Sequence, residues 1–161
     1  MSTDIFCKID GINGESTDDR HKNWIEVLNY SLSIQQPVSI TSGTGGRTAA
    51  RASFSDLAIV KELDKSSPNL ALYCSNGKHI PKIVIEMCLA TEQKHTFMKY
   101  VLEDAIVSSV SPSGSGGGSK PTESVTFNYG KIEWEYTPID HTGKKSASIK
   151  QGWNLETNKQ L

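Results

Sequence analysis

One segment of the chain, residues 64–82, carries the signals of a complete helix, whereas the rest of the sequence shows the patterns of strands. Ser66 or Ser67 can cap the free N–H groups of the first turn, and Pro68 suits the first helical position, which needs no donor. Gly77 can take the left-handed dihedrals that end a helix. A helix of about ten residues is roughly 15 Å long and cannot enclose a core alone. It must therefore pack on something else.

Period-two alternation of apolar and polar residues predicts that the remainder is β structure. The predicted strands cover residues 5–10, 24–36, 52–63, 83–89, 95–110, 123–136 and 148–156. The apolar phase changes near Val27, which predicts either a bulge or a change of burial there. It changes again across Gly130 and Lys131, which predicts an inserted bulge residue, and bulges help a sheet to curve. We expect a mainly β fold: a closed or nearly closed β-barrel of two packed sheets with one short α-helix packed on the outside, in a single domain over residues 1–161.

The strand from residue 28 to residue 35 has an unusual polar face. Four uncharged polar residues alternate along it, where Lys and Glu are the common choice: Asn29, Ser31, Ser33 and Gln35. The intervening residues are apolar and are predicted to point into the core: Leu28, Tyr30, Leu32 and Ile34. The polar series therefore forms a candidate contact surface.

Two glycine-rich segments interrupt the strands. Residues 37–51 lack the spacing and the Lys of a phosphate-binding loop, so they predict a long hairpin or loop, and loops of this length are often functional. Residues 112–121 have strands on both sides and predict a hairpin loop rather than a boundary between domains.

Composition excludes several classes of function. The net charge of −1 provides no field that attracts nucleic acid or an anionic membrane. No segment approaches the length of a membrane span, and the N-terminus has no signal-peptide core. The cysteines, Cys7, Cys74 and Cys88, are far apart and are interpreted as reduced thiols. Without a CxxC motif or a nearby His, the sequence predicts no metal site and no cofactor.

No catalytic motif is present. The four histidines are interpreted as surface residues: His21, His79, His95 and His141. Glu133 and Glu135 project from one strand face, and two such carboxylates can serve a glycosidase, but a solvated strand face commonly carries Glu. The sequence therefore predicts that the protein is not an enzyme.

Several segments together resemble the hemolysin-coregulated protein (Hcp) family of bacterial type VI secretion systems. They are DIFCKIDGINGES near the N-terminus, DLAIVKELDKSSPNLALYCSNGKHIP around the helix, VLEDAIVSSVSPSGSGG, which runs into the second glycine-rich segment, and GWNLETN near the C-terminus. The resemblance extends from residue 5 to residue 158 and follows the order and spacing of the family. It implies a structural protein similar to phage tail-tube proteins.

The resemblance also implies partners and a location. Members of the family form hexameric rings that stack into a tube; a contractile sheath propels the tube, with its spike and effector proteins, into a target cell. The protein is then expected in the bacterial cytoplasm during assembly and outside the cell afterwards, without a cleaved signal peptide and without stable membrane insertion. Two alternatives stay open: a tail-tube protein of a related phage-like machine, and a monomeric ligand-binding barrel.

This resemblance suggests roles for the unusual segments. The polar residues Asn29, Ser31, Ser33 and Gln35 are candidates for the wall of the channel that contacts cargo. The first glycine-rich loop is the candidate contact with a neighbouring subunit or ring, through Ser42, Thr44, Gly45, Gly46 and Arg47.

Overall fold

The protein is described by a computed structural model that covers residues 2–40 and 46–161. Within these ranges one α-helix accompanies thirteen strands. The strands are β1 (Thr3–Ile9), β2 (Ile25–Val27), β3 (Asn29–Ser31), β4 (Ile34–Gln35), β5 (Val38–Ile40), β6 (Arg47–Ala49), β7 (Ser53–Phe54), β8 (Leu57–Glu62), β9 (Ile80–Leu89), β10 (Thr96–Ser113), β11 (Thr122–Tyr136), β12 (Ile149–Asn154) and β13 (Lys159–Gln160); the helix is α1 (Ser67–Asn76). The prediction of a mainly β fold with one short helix is confirmed.

The described strands form one large antiparallel sheet and two small ones. The large sheet has nine strands, with the path β13-β12-β11-β10-β9-β1-β2 and a branch in which β8 pairs with both β11 and β3. The pairs β4–β7 and β5–β6 form the two small sheets. The pairing of β5 with β6 confirms that the first glycine-rich segment contains a β-hairpin.

The β10–β11 hairpin is the longest pairing in the molecule. Along one edge, β11 pairs with two strands one after the other: residues 122–127 pair with β8 and residues 131–136 pair with β12. Gly130 lies between these two stretches, where an added Cβ would come within 3.2 Å of Asp104 Oδ2 and 3.0 Å of Glu156 Oε1. The missing side chain therefore makes room for two carboxylates at this point.

The bulge predicted at Gly130 is wrong, because the register of β10 and β11 is unbroken there. Glu103 pairs with Lys131 and Ala105 pairs with Tyr129, while Asp104, between them on β10, has a left-handed φ of 52°. The register instead shifts between Val107 and Ser109. The local distortion is carried by the partner strand, which a sequence pattern in β11 cannot indicate.

The change of phase near Val27 is confirmed as a break between β2 and β3. Val27 is buried, whereas the next residue, Leu28, is 56% exposed. At this break the chain passes from a strand that pairs with β1 to one that pairs with β8, and the Leu28 N–H donates to the Val60 carbonyl at 2.7 Å. The pairing around the sheet does not by itself establish the closed barrel that the sequence predicts.

Helix α1 follows the predicted signals at its C-terminal end more closely than at its N-terminal end. Gly77 takes the left-handed conformation, with φ 65° and ψ 28°, and Leu70 and Tyr73 are buried against the sheet. Ser66 makes no side-chain cap, because its N–H and hydroxyl both donate to the Asp64 carboxylate. In the described part of the chain, the helix does not reach the length and apolar character that a membrane crossing requires.

The core contains a buried ion pair beside its apolar residues. Ile59, Ile85, Phe127 and Ile132 are fully buried members of the apolar cluster. Lys61 is also fully buried, with Nζ 2.5 Å from Glu123 Oε1 and 3.0 Å from Asp64 Oδ1. The pair ties β8 and β11 to the segment that begins α1.

Candidate functional site

The uncharged residues predicted to form a contact surface are all exposed, but the structure divides them between two sheets. Asn29 and Ser31 lie on β3 in the nine-stranded sheet, opposite Val60 and Ala58 of β8. Gln35 belongs to the small β4–β7 sheet, and Ser33 lies just before β4, where its N–H donates to the Ser55 hydroxyl at 2.8 Å.

The surface of Asn29 and Ser31 continues across three further strands. On the far side of β8, Val60 pairs with Ser124 and Ala58 pairs with Thr126. Ser124 in turn pairs with Ser111 of β10, and Thr126 pairs with Ser109. Cross-strand partners lie on the same side of a sheet. We call the resulting surface the polar face, and its polar members are Asn29, Ser31, Ser109, Ser111, Ser124 and Thr126.

Sequence reasoning missed the members of the polar face on β10 and β11. A signal for the β11 part exists, because Thr122, Ser124 and Thr126 alternate with buried residues in the same way as the residues of β3. The polar face carries no charge at its centre, and the exposed Glu62 at the end of β8, which pairs with Thr122, marks one boundary. Small hydroxyl and amide groups thus dominate this side of the sheet.

The bulge in β10 organises hydrogen bonds at another boundary of the polar face. The Ser108 hydroxyl lies 2.7 Å from Asp56 Oδ2 and 2.7 Å from the Thr126 hydroxyl, and the Ser109 hydroxyl lies 2.6 Å from the same Thr126 oxygen. Asn128 Nδ2 donates to Asp56 Oδ1 at 2.9 Å. Both oxygens of this carboxylate are therefore hydrogen-bonded, and the hydroxyl groups are fixed in one arrangement.

The prediction that the apolar series of the same strand enters the core is wrong for two of its four members. Leu28 is 56% exposed and Ile34 is 47% exposed. Tyr30 and Leu32 are half-buried and pack against the core. Alternation identifies two different faces, but Leu28 sits at the strand break and Ile34 lies on a small sheet, so no element of the described chain covers them.

Two aromatic contacts support the strands beside the polar face. Tyr30 OH lies 3.3 Å from Tyr100 OH, and burial together with this hydrogen bond raises the pKa of Tyr100 above its ordinary value. Phe54 and Trp134 stack with ring centroids 6.4 Å apart.

Tyr129 OH donates to the Ser55 carbonyl at 2.8 Å. Burial raises the pKa of Tyr129, and the nearby charge of Asp56 raises it further. The phenols of Tyr100 and Tyr129 therefore stay neutral at ordinary pH, so they add no charge next to the polar face.

The candidate stacking loop is only partly described. Ser42, Thr44 and Gly45 lie outside the described residues. Gly46 is exposed, and Arg47 begins β6 opposite Ile40. Near the base of this hairpin, Arg51 Nη2 donates to the Leu155 carbonyl at 2.6 Å, which ties the segment to the C-terminal part of the chain. No strand pairing joins the hairpin to the polar face in the ranges that the structure covers.

The histidines differ in their surroundings. His79 and His141 are exposed, as predicted, and His95 is half-buried. His21 is 2% exposed, so its interpretation as a surface residue is wrong. The expectation that no cysteine has a histidine nearby is also wrong, because Cys88 Sγ lies 3.8 Å from His21 Nε2. The two residues are 67 positions apart, and no local pattern indicates their contact.

Parts of the described chain present features that usually occur at protein contacts. Residues 106–113 of β10 pair with β11 on one edge, and no described strand pairs with the other edge, because β9 ends its pairing at Ala105. Tyr136 and Ile149 pair across β11 and β12 and are 48% and 63% exposed. Open strand edges and exposed apolar pairs favour association with another chain.

Comparison with known proteins agrees with this architecture. The sequence profile of the family described as "Type VI secretion system effector, Hcp" matches residues 6–136. Protein hcp1 of Pseudomonas aeruginosa is 38% identical over an alignment of 162 positions, which covers 99% of each chain. A solved structure described as a type six secretion system protein has a TM-score of 0.94 at 37% identity and covers 99% of this chain and 100% of its own.

A second solved structure, Hcp1 from Salmonella typhimurium, has a TM-score of 0.83 at 38% identity, with complete coverage of both chains. The profile match spans most of the sequence, and the relatives align from end to end. The antiparallel sheet therefore belongs to a fold that this family shares. The chain is a member of the Hcp family of type VI secretion proteins.

Proposed function

We propose that this protein is the structural tube subunit of a bacterial type VI secretion system. Six copies form a ring, and stacked rings form an inner tube that a contractile sheath propels out of the cell. Family membership supports the link to type VI secretion. The observation that carries the tube role is the polar face, an uncharged surface that crosses four strands.

The chemistry of the polar face suits the wall of a transport channel. Hydroxyl and amide groups bind water and make weak hydrogen bonds with many protein surfaces, because each net bond contributes only about 1 kcal/mol. Fixed charges would hold cargo of opposite sign and exclude the rest. We therefore assign Asn29 and Ser31, together with their cross-strand neighbours on β10 and β11, to the lumen. For Ser33 and Gln35, which lie before and on the small β4–β7 sheet, we propose the same exposure to the channel.

The free strand edge and the exposed apolar pair support a cyclic assembly. Pairing of residues 106–113 with a strand of the neighbouring subunit would satisfy their outward backbone groups, and a closed ring leaves no edge unpaired. Burial of Tyr136 and Ile149 between subunits would remove apolar surface from water. The exposure of Leu28 and Ile34 in the single chain has a similar explanation in this proposal, because both side chains would be buried between subunits.

The break at Leu28 supports the proposal that each subunit is a closed barrel. The chain passes from β2 to β3 in a single residue, and the hydrogen bond from Leu28 to Val60 brings the end of β2 beside β8. Through this junction, the circuit β1-β2-β3-β8-β11-β10-β9 returns to β1. Helix α1 then packs on the barrel and braces its curvature through Leu70 and Tyr73.

The hairpin of β5 and β6 is proposed to join rings or subunits. Its exposed Arg47 and the glycine-rich segment from Ser42 to Gly46 would contact an adjacent copy, while Arg51 holds the base of the hairpin to its own subunit. The sheath, the spike and the transported effectors are further partners in this proposal. No catalytic role is proposed for any residue of the protein.

Light scattering combined with negative-stain microscopy tests the assembly. The proposal requires a particle of six times the chain mass of 17.6 kDa and ring-shaped images with an open centre. A particle at 17.6 kDa at all accessible concentrations would favour the monomeric ligand-binding barrel and contradict the proposal. Co-purification with sheath and spike proteins of the secretion system would support the proposed tube role. Co-purification with phage tail components would instead favour a tail-tube protein of a related phage-like machine.

A further inference from the structure

A second cluster of side chains lies outside the main core, where the loop between β1 and β2 folds over the outer side of the sheet. Phe6 of β1 pairs with Glu86 of β9, and Asp4 pairs with Cys88, so these residues share one side of the sheet. Phe6 and Cys88 are buried, although neither belongs to the main apolar cluster. The loop covers them with His21, which is 2% exposed.

Three potential metal ligands converge in this cluster. His21 Nε2 lies 2.8 Å from Glu86 Oε2 and 3.8 Å from Cys88 Sγ, and the three donor atoms all lie within 4.8 Å of one another. Among the residues that the structure describes, this is the only group of three such side chains that meets this distance. Thr96 Oγ1 lies 3.3 Å from Cys88 Sγ, within reach to donate a hydrogen bond to it.

The imidazole is oriented as in a typical metal site. Its Nδ1 lies 2.7 Å from Asp18 Oδ2, and a carboxylate on one ring nitrogen fixes the proton there and leaves the other nitrogen to face a ligand. The ring stacks on Phe6 at a centroid distance of 4.2 Å and meets the edge of Trp24 at 4.8 Å. His21 is thus fixed before any metal binds, which lowers the entropic cost of binding.

We propose that His21 Nε2, the Glu86 carboxylate and Cys88 Sγ bind one divalent transition metal, and that Zn²⁺ fits this donor set best. Imidazole nitrogen, carboxylate oxygen and thiolate sulfur are the three ligand types that zinc uses in proteins. Calcium and magnesium prefer oxygen ligands alone and are not expected here. Three protein ligands leave the fourth tetrahedral position for water.

Proton and charge balance are consistent with this site. One proton occupies the hydrogen bond between His21 Nε2 and Glu86, since one of the two must donate, and a second is on the Cys88 thiol. Zn²⁺ displaces both protons, and its two positive charges then balance the thiolate and the Glu86 carboxylate. The remaining Asp18 carboxylate faces Lys94, whose Nζ lies 3.8 Å from Asp18 Oδ1.

Binding requires only a small rearrangement. Zinc bonds to nitrogen and oxygen are about 2.0–2.2 Å long, so tetrahedral ligands lie about 3.3 Å apart. The distance between His21 Nε2 and Glu86 Oε2 must therefore widen from 2.8 Å. The Glu86 side chain has the rotatable bonds for this change, while His21 and the β9 backbone stay in place.

Cobalt is the probe for the first experiment, on the full-length protein in its assembled state after treatment with a chelator. We expect one equivalent of Co²⁺ per chain, with a near-ultraviolet absorption band of thiolate-to-cobalt charge transfer that Zn²⁺ abolishes when added. Direct elemental analysis should find the same stoichiometry of zinc. If the wild-type protein shows no thiolate band and retains less than a tenth of an equivalent of zinc after dialysis, the proposal is wrong.

Variants then test the assignment of each ligand. Cys88→Ser should abolish the charge-transfer band, Glu86→Gln should weaken zinc binding at least about 10-fold, and Asp18→Asn should weaken it by about 10- to 100-fold. The matched controls are Cys74→Ser and His79→Gln, which lie outside the cluster and should bind as the wild type does. Persistence of the full band in Cys88→Ser, or its loss in Cys74→Ser, would overturn the assignment. Circular dichroism and light scattering check that each variant is folded and assembled. The wild-type measurement needs no variant, so a negative wild-type result contradicts the proposal even if a variant fails to fold.

Discussion

Lys61 Nζ lies 2.5 Å from Glu123 Oε1, and both side chains are buried where β8 and β11 meet the start of α1. The hydroxyl of Ser67, the first residue of the helix, also donates to Glu123 Oε1 at 2.7 Å. Loss of one partner leaves the other charge in an apolar interior, where it costs about 3–5 kcal/mol. We therefore expect Lys61→Met to lower the free energy of unfolding by that amount, as measured by urea denaturation at a fixed protein concentration.

The control is the exposed pair of Lys150 and Glu133, whose atoms are 3.2 Å apart with the Lys side chain 56% exposed. Lys150→Met should change the free energy of unfolding by less than about 1 kcal/mol. The double variant Lys61→Met, Glu123→Leu should be more stable than Lys61→Met alone, because neither charge remains. A single Lys61 variant as stable as the wild type would show that the buried pair contributes nothing.

A negative charge on the polar face should alter cargo retention without dissolving the ring. Ser31→Glu places a carboxylate opposite Ala58, and six-fold repetition would surround the proposed channel with charge. We expect rings of unchanged mass by light scattering but altered co-purification of effector proteins. Ser75→Glu, on the exposed side of α1, is the control and should retain cargo normally. Rings that fall apart in Ser31→Glu alone would place this residue at a subunit contact instead.

Shortening the first glycine-rich loop should affect stacking and leave the subunit folded. Deletion of residues 44–46 removes Thr44, Gly45 and Gly46 but keeps Arg51, which anchors the base of the hairpin. We expect intact rings and fewer or shorter tubes by electron microscopy. Deletion of residues 116–118 from the other glycine-rich loop is the matched control. Tubes of wild-type length after the first deletion would exclude the loop from ring stacking.

The three cysteines should differ in reactivity towards a thiol reagent. Burial raises the pKa of Cys7 to about 12, and it also raises the pKa of Cys88. The thiolate is the reactive species, so both residues should stay unlabelled at pH 8 while the protein is folded. Cys74 on α1 is half-buried and should account for the single labelled thiol of the native protein.

Mass spectrometry checks the labelling and should find one modified cysteine in the native state and three after denaturation. Cys74→Ser should remove the native signal. Labelling of Cys7 in the folded protein, at a rate comparable with that of Cys74, would mean that β1 opens readily and that the core is less stable than its burial indicates.

The parts of the fold that sequence reasoning identified depend on local conformation. Gly77 ends α1 because a residue without a side chain adopts the left-handed conformation at little cost. The sequence shows this C-terminal signal at a single position, without reference to the rest of the fold. Strand alternation is equally local. The N-terminal cap depends on competition between hydrogen-bond partners, and the Asp64 carboxylate takes the Ser66 hydroxyl that would have capped the helix.

The errors concern contacts between distant segments. Alternation showed that the two faces around Tyr30 differ, but it could not show what covers each face, and Leu28 and Ile34 are exposed in the single chain. His21 becomes buried because Glu86 and Phe6 lie on strands that the loop happens to cover. The missed half of the polar face was accessible in principle, since Ser124 and Thr126 alternate as Asn29 and Ser31 do.

The arrangement of β10 and β11 also matters while the chain is being synthesised. On the ribosome, β3 and β8 can pair, and β1, β2 and β9 can pair, before any of the hairpin has emerged. The facing edges of β8 and β9 then remain open until β11 and β10 fill the space between them. We expect a chain released after residue 94 to aggregate or to bind chaperones, and a chain released after residue 136 to stay soluble, as sedimentation of in vitro translation products can measure. Equal solubility of both products would mean that the open edges are protected in another way. If the shorter chain alone aggregates, the hairpin that completes the sheet sets how long each new subunit depends on the folding machinery of the cell.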